Sequence, residues 1–122
     1  MTEVQTTTDY YNRHLQDCLN KYLKAFESDI LHSDNPLNNG IIRRKIKFIK
    51  WILKEIKINE KISYETLITM VDTEIIIYKR KLQRASTRPT TFKVFDTIQN
   101  LEWLRNLLTS THRRGFNDIL IC

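Results

Sequence analysis

Residues 41–58 read IIRRKIKFIKWILKEIKI, and the spacing inside this stretch decides the fold class. Ile42, Ile46, Ile49, Ile52, Leu53 and Ile56 recur at intervals that place them on one face of an α-helix, not in the alternation of a strand. At about 100° per residue, Arg43, Lys47, Lys50, Lys54 and Lys57 fall within an arc of about 80° on the opposite face. Phe48 and Trp51 lie between the two faces. One helix thus carries a core face and a cationic stripe.

The same periodicity continues on both sides. From about Asp9 to Leu31, the residues Tyr11, Leu15, Cys18, Leu19, Tyr22, Phe26 and Ile30 form a single stripe, with Thr8 as the expected cap. The segment HSDNPLNNG (32–40) follows, where Asn35-Pro36 is expected to break the helix and Asn39-Gly40 to make a turn. After NEK (59–61), Ser63 caps a third helix reaching about Arg84, with Tyr64, Leu67, Ile68, Val71, Ile75, Tyr78 and Leu82 on its face. The β-branched run Ile75-Ile76-Ile77 favours a strand locally, but the helical pattern on both sides outweighs it. ASTRPTT (85–91) is the next loop, and Phe92, Phe95, Ile98, Leu101, Leu104, Leu107 and Leu108 mark a fourth helix from about Phe92 to Arg114. His112, Arg113 and Arg114 before Gly115 suit the negative end of a helix dipole. The last residues, FNDILIC, are apolar enough to be expected to dock. The expected architecture is all-α: a single small antiparallel bundle of about four helices with a short apolar C-terminal tail. Residues 1–8 are read as a flexible N-terminus and 9–122 as one domain.

Composition agrees and excludes alternatives. The 122 residues are 41% hydrophobic and 28% charged, enough to build a core and too apolar for a disordered chain. Two glycines and two prolines are too few for dinucleotide-binding or phosphate-loop glycine patterns, or for a turn-rich sandwich or barrel. The start lacks the cationic and apolar regions of a signal peptide, and no apolar run is long enough to span a membrane. Cys18 and Cys122 form no CxxC pair and read as reduced thiols, so the expected location is cytoplasmic or nuclear.

Charge is the most informative property. Residues 41–61 hold eight cations against Glu55 and Glu60, a net +6. Residues 78–93 hold Lys79, Arg80, Lys81, Arg84, Arg88 and Lys93 with no acid, another +6, so the rest of the chain sums to −6. Such segregation focuses an attractive field on a polyanion. The candidate phosphate-contacting residues are Arg43, Lys47, Lys50, Lys54 and Lys57 on the second helix, with Arg80, Lys81, Arg84 and Arg88 after it. Lysine dominates the stripe, which suits backbone neutralisation better than base reading. A lysine-rich face is also how many helices simply meet water, and cations near a helix C-terminus compensate the dipole. Arg88 with Thr87, Thr90 and Thr91 has the composition of a phosphate-contacting loop. Phe48 and Trp51 are candidate stacking or interaction residues, though aromatics at such positions more often belong to the core or a helix interface; Ile119, Leu120 and Ile121 join them in the tail.

Catalytic and metal signatures are missing. His14 and Cys18 share a helix face, but four zinc ligands cannot be assembled and Cys18 belongs to the apolar stripe. No nucleophile elbow occurs, and the acids are scattered singly. A helix-turn-helix over residues 61–84 fails because the apolar repeat crosses the would-be turn unbroken. Neither a cofactor nor a metal is expected. The sequence therefore points to a non-enzymatic, basic helical subunit or adaptor of a nucleic-acid-associated assembly, binding DNA, RNA or another polyanionic surface. The alternative is a protein–protein interaction or oligomerisation module without nucleic acid. A peripheral membrane binder acting through the second helix ranks third, because that helix's apolar face is needed for the core, and an enzyme ranks last.

Overall fold

Local chemistry sets the helix boundaries. In the computed structural model, residues 3–114 are described, with side chains described for residues 10–111. They form α1 (Glu3–His32), α2 (Pro36–Ile58), α3 (Tyr64–Arg84) and α4 (Arg88–Arg114). α3 begins and ends where the apolar pattern and the Ser63 cap predict, with the Ser63 hydroxyl accepting from the Thr66 N–H at 3.1 Å.

The other starts move upstream. α1 begins at Glu3, so Thr8 lies inside the helix instead of capping it. α2 begins at Pro36, not Ile41: Asn35 is its cap, accepting from the N–H groups of Leu37 at 3.0 Å and Asn38 at 3.3 Å. Proline in the first turn forfeits no helical hydrogen bond, so Asn35-Pro36 starts this helix, and Asn39-Gly40 is helical instead of a turn. α4 begins at Arg88 for the same reason. Thr87 accepts from the Thr90 N–H at 3.3 Å, which leaves Pro89 in the first turn.

α1 packs on α2 and α3 on α4, and the two pairs join chiefly through α2 against α4. α4 packs against α3 most extensively and also meets α2 and α1. Its Leu101, Leu104 and Leu108 are fully buried against Leu15 and Leu19 of α1, Ile49, Ile52 and Ile56 of α2, and Leu67 and Val71 of α3. These side chains form the all-α bundle core that the periodicity predicts, and they supply the main stabilisation at about 25 cal/mol per Å² of apolar surface removed from water.

Polar groups inside the bundle are used to fix the helices. Asp96 of α4 is buried and receives the Arg44 guanidinium from α2, while Asn100 donates to the same carboxylate at 3.1 Å. Thr97 and Thr111 return their hydroxyls to carbonyls one turn back, each at 2.8 Å. Asn12 of α1, 2% exposed, donates at 2.9 Å to both Glu60 O and Ile62 O, which ties the α2–α3 connection to α1. Tyr11 donates to Leu108 O at 3.0 Å and packs edge-on to Tyr64, with 6.4 Å between ring centroids. Nearer the surface, Asp72 accepts from Arg105 at 2.6 and 3.4 Å, and this raises the guanidinium's pKa above its usual value.

Two outcomes follow from this wiring. Asn12→Ala leaves the buried Ile62 carbonyl, and the partly buried Glu60 carbonyl, without this donor and should cost about 2 kcal/mol in a urea melt; a loss below about 0.5 kcal/mol would contradict the tie. Burial, then the neighbouring Tyr64 and Glu65, pushes the Tyr11 pKa well above its ordinary value. The native state therefore keeps this proton while the unfolded chain loses it near pH 10 or so, and stability must fall as pH rises beyond that point. Tyr11→Phe should lose less stability than the parent protein between about pH 8 and 11; equal losses would refute the assignment.

Candidate polyanion-binding surface

The rotation of α2 about its axis decides where its cations point. Ile42, Phe48, Ile49, Ile52 and Ile56 are buried, and Arg44 is drawn to Asp96 on α4. With that side turned inward, Arg43, Lys47, Lys50, Lys54 and Lys57 are all exposed. Lys45 belongs to neither group: its Nζ lies 5.5 Å from the Phe26 ring centroid and 5.6 Å from that of Trp103, a cation–π contact joining α1, α2 and α4.

Arg80, Lys81, Arg84 and Arg88, at the end of α3 and the start of α4, are exposed as well. One aromatic bridge connects the two cationic segments. Phe48 meets Tyr78 edge-on at 6.5 Å, Lys47 Nζ lies 5.6 Å from the Phe48 ring, and Lys81 Nζ lies 4.5 Å from the Tyr78 ring. Lys47 and Lys81 thus flank the same pair of rings across α2 and α3. The ion pairs among the described residues, Arg44–Asp96 and Arg105–Asp72, use none of the nine candidate cations. Their charge is therefore left uncompensated by a carboxylate within salt-bridge distance among the described residues.

The apolar candidates sort differently. Phe48 is only 6% exposed and belongs to the core, so it offers no face for stacking. Its flank position on the helical wheel is covered because α2 is packed by α4 on one side and by Tyr78 of α3 on another. Trp51 is half-buried against the core and lines a shallow groove with Thr66, Thr69, Met70 and Thr73, rimmed by Glu65 and Glu74. Those carboxylates would repel a phosphate chain laid beside the indole. Ile119, Leu120 and Ile121 lie outside the described residues. In the opposite direction, Phe92 and Phe95, expected in the core, are 38% and 51% exposed. They sit in the first two turns of α4, where the apolar stripe is left uncovered.

The threonines near Arg88 are occupied locally. Thr87 donates to the Thr90 hydroxyl and Thr91 donates to Thr87 O, each at 2.8 Å, so these hydroxyls cap the start of α4. No group of three or more His, Cys, Asp or Glu among the described residues could hold a metal. Cys18 is buried and is not a free thiol, so the argument from reduced cysteines to a reducing compartment has no support at that position. No helix among the described residues is long and apolar enough to cross a membrane. No protein-family model matches the chain, and comparison with curated proteins and with solved structures finds no match to it.

The contrast between the two flanking aromatics is measurable. Phe48→Ala should destabilise the protein by about 3 kcal/mol, and Trp51→Ala by less, in matched denaturant titrations. The reverse order would place Phe48 at the surface.

Proposed function

We propose that this chain is a non-enzymatic basic helical subunit or adaptor of an assembly that acts on nucleic acid. It contacts the phosphate backbone without reading base sequence. The observation that carries this reading is the state of the nine cations: all are exposed, and none is ion-paired among the described residues. A face serving only solubility usually intersperses both signs. Here the run 78–93 contains no acid at all, and the bulk of the chain is net negative.

In this reading, α2 lies along the phosphate chain, and Lys81 continues the contact onto α3 past the Phe48–Tyr78 bridge. Lysine ammonium groups are compact, mobile point charges that neutralise phosphates with little demand on geometry. The test is charge reversal. Lys47→Glu, Lys50→Glu and Lys54→Glu together should abolish binding to labelled oligonucleotides while helicity by circular dichroism stays unchanged. Undiminished binding by the folded triple variant would overturn the assignment.

A second reading, a protein-contact module without nucleic acid, is favoured by Ile76 and Ile77, which remain exposed on α3. It predicts that Ile76→Ser with Ile77→Ser dissolves a self-association seen by sedimentation. A parent protein that is monomeric at every concentration would remove the self-association form of this reading.

A further inference from the structure

The corner where α3 gives way to α4 combines three properties found together nowhere else among the described residues. It has exposed aromatic rings, Phe92 and Phe95, one helical turn apart on α4. It has an apolar groove beside them, floored by Leu82 and Ala85 and edged by Arg88 and Thr91. It also overlaps the acid-free run 78–93, which includes Phe92, with Arg80, Lys81 and Arg84 exposed on the last turns of α3.

These features select an occupant that is both anionic and flat. The charge requires an anion, since no carboxylate within the run offsets its six cations. The rings and the groove floor require an apolar surface on that same partner. A duplex meets only the first requirement, because its base faces are already stacked inside the helix. An unpaired strand meets both, offering base faces to the rings and phosphates to the guanidinium groups. The cation type agrees. The α2 stripe has one arginine among five residues, whereas Arg80, Arg84 and Arg88 outnumber Lys81 among the candidates here. Arginine grips phosphate through two parallel bonds and lays its plane on a base, which lysine cannot do.

We propose that this corner is a single-strand subsite, where unpaired bases stack on Phe92 and Phe95 while Arg84 and Arg88 hold the flanking phosphates. The assignment rests on the nucleic-acid reading above and deepens it: α2 supplies backbone attraction, and the α3–α4 corner supplies preference for unpaired strand. The preference is independent of sequence, because every base has a face.

The test compares the parent protein with Phe92→Leu and Phe95→Leu combined, a change that keeps apolar bulk and removes the ring faces. Binding is followed by fluorescence anisotropy at about 100 mM salt, with labelled oligothymidylate of about 20 nucleotides and a duplex of the same length. The parent should bind the single strand more tightly than the duplex. The leucine variant should lose about tenfold or more of its single-strand affinity and keep its duplex affinity. A leucine variant that binds the single strand as the parent does overturns the subsite and leaves the backbone reading standing. So does a parent with no preference for the single strand. A parent that binds neither oligonucleotide, even at about 20 mM salt, overturns both.

Discussion

The buried carboxylate of Asp96 fixes how the two halves of this protein meet. It lies on α4 and takes the Arg44 guanidinium from α2 and the Asn100 amide from its own helix. A charge removed from water must be paired, so α2 can turn about its axis only so far as Arg44 still reaches Asp96. Together with the buried isoleucines, that pair sets the register of α2. Ile49, Ile52 and Ile56 face the core, Lys45 rests between Phe26 and Trp103, and the five stripe cations face solvent. The cationic surface thus depends on an interaction that contributes none of its charge.

Apolar and cationic material are distributed differently in the two basic segments. On α2 the aromatic residue is drawn inside, and Phe48 connects the stripe to α3 through Tyr78. At the α3–α4 corner the aromatics remain outside, with Phe92 and Phe95 exposed on the first turns of α4. The first arrangement presents charge alone. The second presents charge with exposed rings and arginine. A chain that attracts a strand along one helix and holds its bases at the adjoining corner would use both at once.

Much of the fold was legible in the sequence, for a physical reason. Helical periodicity is a property of single segments, and Leu15, Leu19, Ile49, Leu67, Val71, Leu101 and Leu104 are buried where it places them. Ser63 and the end of α3 were equally clear, because a cap is a local interaction. Prolines misled in one direction only: Pro36 and Pro89 read as breaks and stand in first turns, since a first-turn residue has no helical N–H bond to lose. The misplacements of Phe92 and Phe95 have another origin. A helical wheel says which residues share a face but not which neighbour covers it, nor where along the helix that neighbour ends. Asn12, Arg44 and Asp96 were missed because a polar residue near a core face becomes visible only once its partner on another helix is in place.

The account's central claim is that the exposed stripe cations act together on phosphates. The most direct measurement is the salt dependence of oligonucleotide binding by the intact protein, followed from about 20 to 200 mM salt. Simultaneous contact by the five α2 cations predicts a slope of log K against log salt near about −4.5 on duplex DNA. A slope near zero, or no binding at the lowest salt, would contradict the account and leave the stripe as a hydrated face.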